Sequence, residues 1–173
     1  RSALEEIGDR LVTSLADPEA VITAMRDAPP PADLPGNEGA AIELATWEDT
    51  YGEPLETTRG AWVLTGSTEL PIASILVFES PENADAGLGD YRVDSSSIEI
   101  DGLTAYLVAN RINWICVAVD GAVMIAGQAE PASDDEGTDE IRERSCDAML
   151  ATRDGLVATV TGAPATPEAT PAG

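Results

Sequence analysis

The 173-residue chain sets 32 acidic residues against nine arginines, with no lysine and no histidine, for a net charge of −23. Such a field excludes nucleic-acid binding through general charge and repels an anionic membrane surface. The length suits one domain with a full-sized core and argues against a second. The longest apolar run, Trp114–Val119, is far too short to cross a bilayer.

In chain order, Ser2-Ala-Leu-Glu5 fits a capping box, and Leu4, Ile7, Leu11 and Leu15 follow at helical spacing. Asp17-Pro18-Glu19 starts a second short helix: an N-cap acid, proline at the first helical position, and an acid near the positive end of the dipole. Val21, Ile22 and Met25 form its inner face, and Pro29-Pro30-Pro31 ends it, since prolines supply no amide donors. Residues 28–39 read as a linker. Strands are expected at Ala40–Trp47, Ala61–Thr65 and Ile72–Phe78. Ser80-Pro81-Glu82 caps a further short helix, which should run to about Leu88 and stop in the Gly87–Gly89 region.

The densest apolar stretch follows. Ile98 and Ile100 alternate with polar residues, as in a half-exposed strand, and Asp101-Gly102 offers a tight turn into Leu103–Ala109. Asn110-Arg111 reverses the chain again. Asp120-Gly121, between Trp114–Val119 and Ala122–Gln128, predicts a type I′ hairpin. That register sets Ala118 against Val123, Cys116 against Ile125 and Trp114 against Gly127, the indole sealing a bare spot. Both faces of the hairpin are apolar, so it should be central and covered on both sides. Beyond the acidic loop 130–137, a long helix is expected with Thr138 as N-cap and Gly155 as a candidate break. Cys146, Met149, Leu150, Val157 and Val160 lie on one side of it.

The predicted fold is therefore α+β: an antiparallel meander sheet of about five to seven strands with N- and C-terminal helices packed on it. A strand-strand-helix duplication is a further expectation, each half carrying a tryptophan early in its first strand and the helices sharing one face. Residues 1–161 form the single domain, and residues 162–173 form an Ala/Thr/Pro tail with no apolar side chain larger than alanine.

Candidate chemistry is sparse. Without histidine there is no Ser/His/Asp or Cys/His pair, and without lysine no Schiff base or P-loop. Gly87-Leu-Gly89 follows a helix and lacks the rest of a dinucleotide fingerprint. No cofactor is expected. Asp134, Asp135, Glu136 and Asp139 could supply oxygen ligands to calcium, although they lack the alternating positions and fixed glycine of an EF-hand; a solvated acidic loop near a helix N-terminus is the competing account. Trp47 and Trp62 are the candidates for an exposed recognition surface.

Cys116 is predicted to bond to Cys146, because packing the last helix on the hairpin face that carries Trp114 and Ile125 brings them together. A disulfide implies an exported or cell-envelope location, with the chain's opening at Arg1-Ser2 read as what remains after removal of a leader or anchor. The expected function is a non-catalytic binding or interaction module for a protein partner or small ligand. The competing classes are a carboxylate-based or calcium-dependent hydrolase and a carrier of a small apolar ligand.

Two accounts of the acidity compete: a surface for cations or a basic partner, and solubility or adaptation to a salty medium. The acids are spread along the whole chain, which favours the second. Stability is therefore expected to rise with ionic strength, as screening relieves carboxylate repulsion. A melting temperature that stays flat or falls between low and molar salt contradicts this. A calcium effect that saturates at low concentration, without an equal effect of magnesium or sodium, returns the acidic loop as a metal site.

Overall fold

The computed structural model describes residues 15–27, 41–45, 58–65, 71–93, 95–110, 113–131, 133 and 135–162, with backbone alone for 41–45, 58–65, 71–72, 90, 93 and 110. The elements are α1 (Pro18–Asp27), β1 (Ala41–Ala45), β2 (Thr58–Thr65), β3 (Pro71–Phe78), α2 (Pro81–Gly87), α3 (Gly89–Val93), β4 (Ser96–Ile100), β5 (Leu103–Asn110), β6 (Asn113–Asp120), β7 (Val123–Ala129) and α4 (Thr138–Thr161). The expected first helix over 2–15, save Leu15, and the tail beyond Gly162 fall outside the described residues.

All strand pairs are antiparallel, and the seven strands run in the order β1-β2-β3-β7-β6-β5-β4. Two meanders, β1 to β3 and β4 to β7, thus meet at the β3–β7 pair in the middle of one sheet. This is the predicted α+β architecture. The helices, however, divide between the two faces. Ile75, Val77, Cys116, Ala118, Val123 and Ile125 pack against α1 and α4, through Val21, Met25, Met149 and Leu156. Their alternate neighbours Leu76, Phe78, Val117 and Met124 look the other way, onto Ala84 of α2 and onto Leu88. The central strands are apolar on both sides because both sides are covered, as in any strand buried on two faces.

The local signals around the helices hold in most details. Asp17 Oδ1 accepts from the amides of Glu19 at 3.0 Å and Ala20 at 3.3 Å, capping α1, and Val21, Ile22 and Met25 are its buried residues. Ser80 Oγ caps α2 from Asn83 N–H at 3.2 Å. The chain does not end its helical course there: after Leu88 it makes one more helical turn, α3. Helix α4 begins one residue earlier than predicted. Gly137 is its N-cap and Thr138 its first helical residue, with the Gly137 amide donating to Glu140 Oε2 at 3.2 Å. It passes unbroken through Gly155, which is buried against the sheet, and ends at Gly162 in the left-handed region, φ 66°.

The two Asp-Gly turns differ. Asp101 and Gly102 both have positive φ, 53° and 77°, and Ile100 pairs with Leu103: this is the type I′ turn that the dipeptide predicts. At the central hairpin the pairing is Asp120 with Val123, Ala118 with Ile125, Cys116 with Gly127 and Trp114 with Ala129, two residues from the expected register. The central turn residues are Gly121 and Ala122, and only Gly121 has positive φ, at 62°, the pattern of a type II′ turn. The cause is tertiary. Ala122 N–H donates to the Leu15 carbonyl at 2.8 Å, and its own carbonyl accepts from Phe78 N–H at 2.9 Å, so the turn is clamped between α1 and β3. A slip of two leaves every side chain on its predicted face.

Gly121 is therefore constrained twice. A Cβ there would lie 2.5 Å from the Leu15 carbonyl and 2.7 Å from Ala16 N, in addition to the φ of 62°. Gly102 has a φ of 77° and open space around it. Gly102→Ala should cost about 1 kcal/mol, the left-handed penalty alone, and Gly121→Ala more than about 2 kcal/mol. Urea unfolding of both variants checks this; equal losses would show that the Leu15 clamp carries no weight.

Candidate functional site

The most tightly built region lies where α4 crosses the β6–β7 hairpin. Gly127 is bare because the helix backbone occupies the space above it: a Cβ there would run into the Ser145 carbonyl and the Met149 amide. The sequence-based account, a tryptophan lying over that glycine, is corrected by this. With the helix so close, Cys116, opposite Gly127 in the ladder, meets Cys146 at a Cα–Cα distance of 5.0 Å, and the two form the predicted disulfide. Both cysteines are buried, at 0% and 4% exposure, so the bond is sealed within the core. Ser145 is buried too and donates its hydroxyl to the Arg142 carbonyl at 2.7 Å, a bond that needs no partner on the sheet.

At the N-terminal end of α4 the polar groups are organised by arginines. Half-buried Trp114, opposite Ala129, is covered by the Arg142 guanidinium at 4.3 Å from the ring centroid, a cation–π contact. Arg142 also donates to Ser96 Oγ on β4 at 3.3 Å and reaches Asp139 at 3.4 Å. Arg144 grips Glu136 with two bonds of 2.9 Å and donates to the Glu130 carbonyl, tying the acidic loop down to the end of β7.

The proposed calcium ligands are thus dispersed. Glu136 faces Arg144, Asp139 is 97% exposed and paired with Arg142, Asp135 is exposed, and Asp134 lies outside the described residues. Among the described residues no three acidic or cysteine side chains converge as a cation site. Trp47 also lies outside the described residues. Trp62 is in β2, its register setting it opposite Leu44 and Ile75.

At the far end of α4, Arg153 Nε donates to Asp120 Oδ2 at 2.7 Å, across a sequence separation of 33. Both side chains are largely buried, at 19% and 10% exposure, so each is the other's charge compensation in a poorly hydrated place. Asp154 lies 3.7 Å from Arg153. Desolvation raises its affinity for a proton above the ordinary value; Arg153 opposes that shift, and the Asp101 carboxylate adds to it. A carboxyl group held above its unfolded pKa favours the folded state while protonated. That contribution is intact below about pH 3.8, is lost as pH rises through the folded value, and is absent at neutrality. Asp154→Asn should therefore raise the melting temperature at pH 7, with the gap over the parent opening from pH 3 upward. A gap that narrows with rising pH would contradict the assignment.

The disulfide gives a second test. Intact mass after alkylation in denaturant should be unchanged without reductant and should gain two adducts with it. Replacing both cysteines by alanine should lower the unfolding free energy by about 3.5 kcal/mol, the chain-entropy effect for a separation of 30. Free thiols in the unreduced protein would overturn the link.

No protein-family model matches the chain, and no curated protein matches it in sequence.

Proposed function

We propose that the chain is a non-catalytic binding or interaction module of an exported or cell-envelope protein. The observation that carries the reading is the disposition of its charges. Four of the described carboxylates are each engaged by an arginine at a separate place in the fold: Asp85 by Arg92, Glu136 by Arg144, Asp139 by Arg142 and Asp120 by Arg153. Carboxylate catalysis needs the opposite, two or three acids brought together so that one holds its proton at working pH. The sealed disulfide supports a location in an oxidising compartment. Among the described residues no helix is long and apolar enough to span a membrane.

The acids left at the surface fit a salty or crowded exterior, where net charge keeps the protein soluble. The test is differential capture, with the folded chain fixed to a support through its C-terminal tail and offered envelope and cytosolic fractions separately. The expected result is saturable retention of a component of the envelope fraction, lost when the chain is reduced and unfolded. Turnover of a glycoside or ester substrate, abolished by one Asp or Glu substitution, would overturn the proposal in favour of a hydrolase.

A further inference from the structure

Strand β4 ends the strand order. It pairs with β5 in unbroken register from Ser96 opposite Leu107 to Ile100 opposite Leu103, and no described strand lies on its other side. Edge strands that must stay unpaired are usually guarded by a proline, a lysine, a bulge or an outstanding charge. Within β4 there is no proline, no basic residue and no shift of register. Its one charged side chain, Glu99, accepts a hydrogen bond from Thr104 Oγ1 at 2.8 Å, so it is drawn over β5 and away from the open edge. Ile98 and Ile100 rest against the core yet are only partly buried, and Ser96, Ser97 and Glu99 are exposed.

Helix α4 packs on β7 and β6, and its side chains reach toward this edge at two points. Arg142 touches Ser96 at one end, and Asp154 feels the charge of Asp101 at the other. The helix covers about 18 Å between those two residues, and the strand from Ser96 to Asp101 covers about 17 Å, so the two spans match in length. A strand added to β4 would continue the layer formed by Ile98 and Ile100. It would end near Asp101 and Asp154. These two acids repel one another, and the neighbouring cation is already committed: Arg153 holds Asp120 at 2.7 Å and reaches Asp154 at 3.7 Å. One more cation at that end would be met by two carboxylates.

We propose that the edge of β4 left unpaired among the described residues docks an extended peptide segment of another protein, apolar at alternate positions and carrying a lysine or arginine that lies between Asp101 and Asp154. Main-chain bonds to β4 would supply the affinity, and the apolar and acidic positions the selectivity, as in other strand additions. A second copy of this chain is a poor occupant, because each brings a net charge of −23. The inference rests on the interaction-module reading and gives that reading a surface.

The test uses the full 173-residue chain, labelled with ¹⁵N and titrated with a capped heptapeptide of alternating valine and lysine. Two controls are the same peptide with glutamate for lysine and one with N-methylated backbone amides. The expected result is a saturable shift centred on residues 96–101, with slowed exchange of β4 amides and no such response to either control. Asp101→Asn combined with Asp154→Asn should weaken the lysine peptide by about three- to tenfold, the effect of two partly exposed charge pairs. The proposal fails if the shifts spread over the acidic surface, if the N-methylated peptide binds equally well, or if β4 is instead found in a dimer of the free chain. An envelope partner that is captured without disturbing β4 sinks this site and leaves the module reading standing. Peptide binding at β4 together with acid-dependent turnover elsewhere does the reverse.

Discussion

The close approach of α4 to the β6–β7 hairpin is the contact on which the rest of the molecule depends. Gly127 lets a helix backbone settle directly on the sheet, and that depth is what brings Cys146 within bonding range of Cys116. Because the helix lies so low, Met149 and Leu156 reach the same layer as Ile125 and Val123, and α1 can close over them with Val21 and Met25. The helix axis is then held at both ends by charge: Arg142 and Arg144 secure its start to β4, Trp114 and the acidic loop, and Arg153 secures its later turns to the hairpin tip. Few cations serve a very acidic chain here, and those on α4 are spent on joining helix to sheet.

The same economy explains the character of the surface. An acid-rich protein with 32 acidic residues and nine arginines carries far more carboxylates than its cations can engage, and the excess repels other anions. The opposite face of the sheet makes the point by contrast. There, among the described residues, Phe78, Leu76 and Met124 are capped by two short helices, and Arg92 lies 5.7 Å from the Tyr106 ring while paired with Asp85.

Much of the architecture was legible because its signals are local. Asp17-Pro18 and Ser80-Pro81 mark helix starts by hydrogen bonds to amides two or three residues away, and Asp101-Gly102 makes its turn unaided. Asp120-Gly121 is the same dipeptide in a similar setting, yet its turn moves by one residue, because Leu15 and Phe78 claim the amide and carbonyl of Ala122. Distant chain decided that geometry, and no window of sequence contains it. The disulfide was readable from face parity alone, which survives a register slip of two. The division of the helices between two faces was not, since a strand apolar on both sides carries no mark of which helix takes which side. The arginine partners were equally hidden: nothing near Arg153 in sequence points to Asp120.

The strand order has a bearing on how the molecule is made. β3 joins the first meander to the second through β7, the last strand in the chain, and not through its sequence neighbour β4. As the chain emerges from its N-terminus, β1, β2 and β3 can pair as soon as they are out, but β3 then waits while β4, β5 and β6 are delivered before the partner for its other side arrives. The sheet is closed from its centre and closed late, and α4, with the cysteine that locks it, follows only after that. Premature oxidation finds Cys116 without its mate until nearly the whole domain is present, because Cys146 follows it by 30 positions.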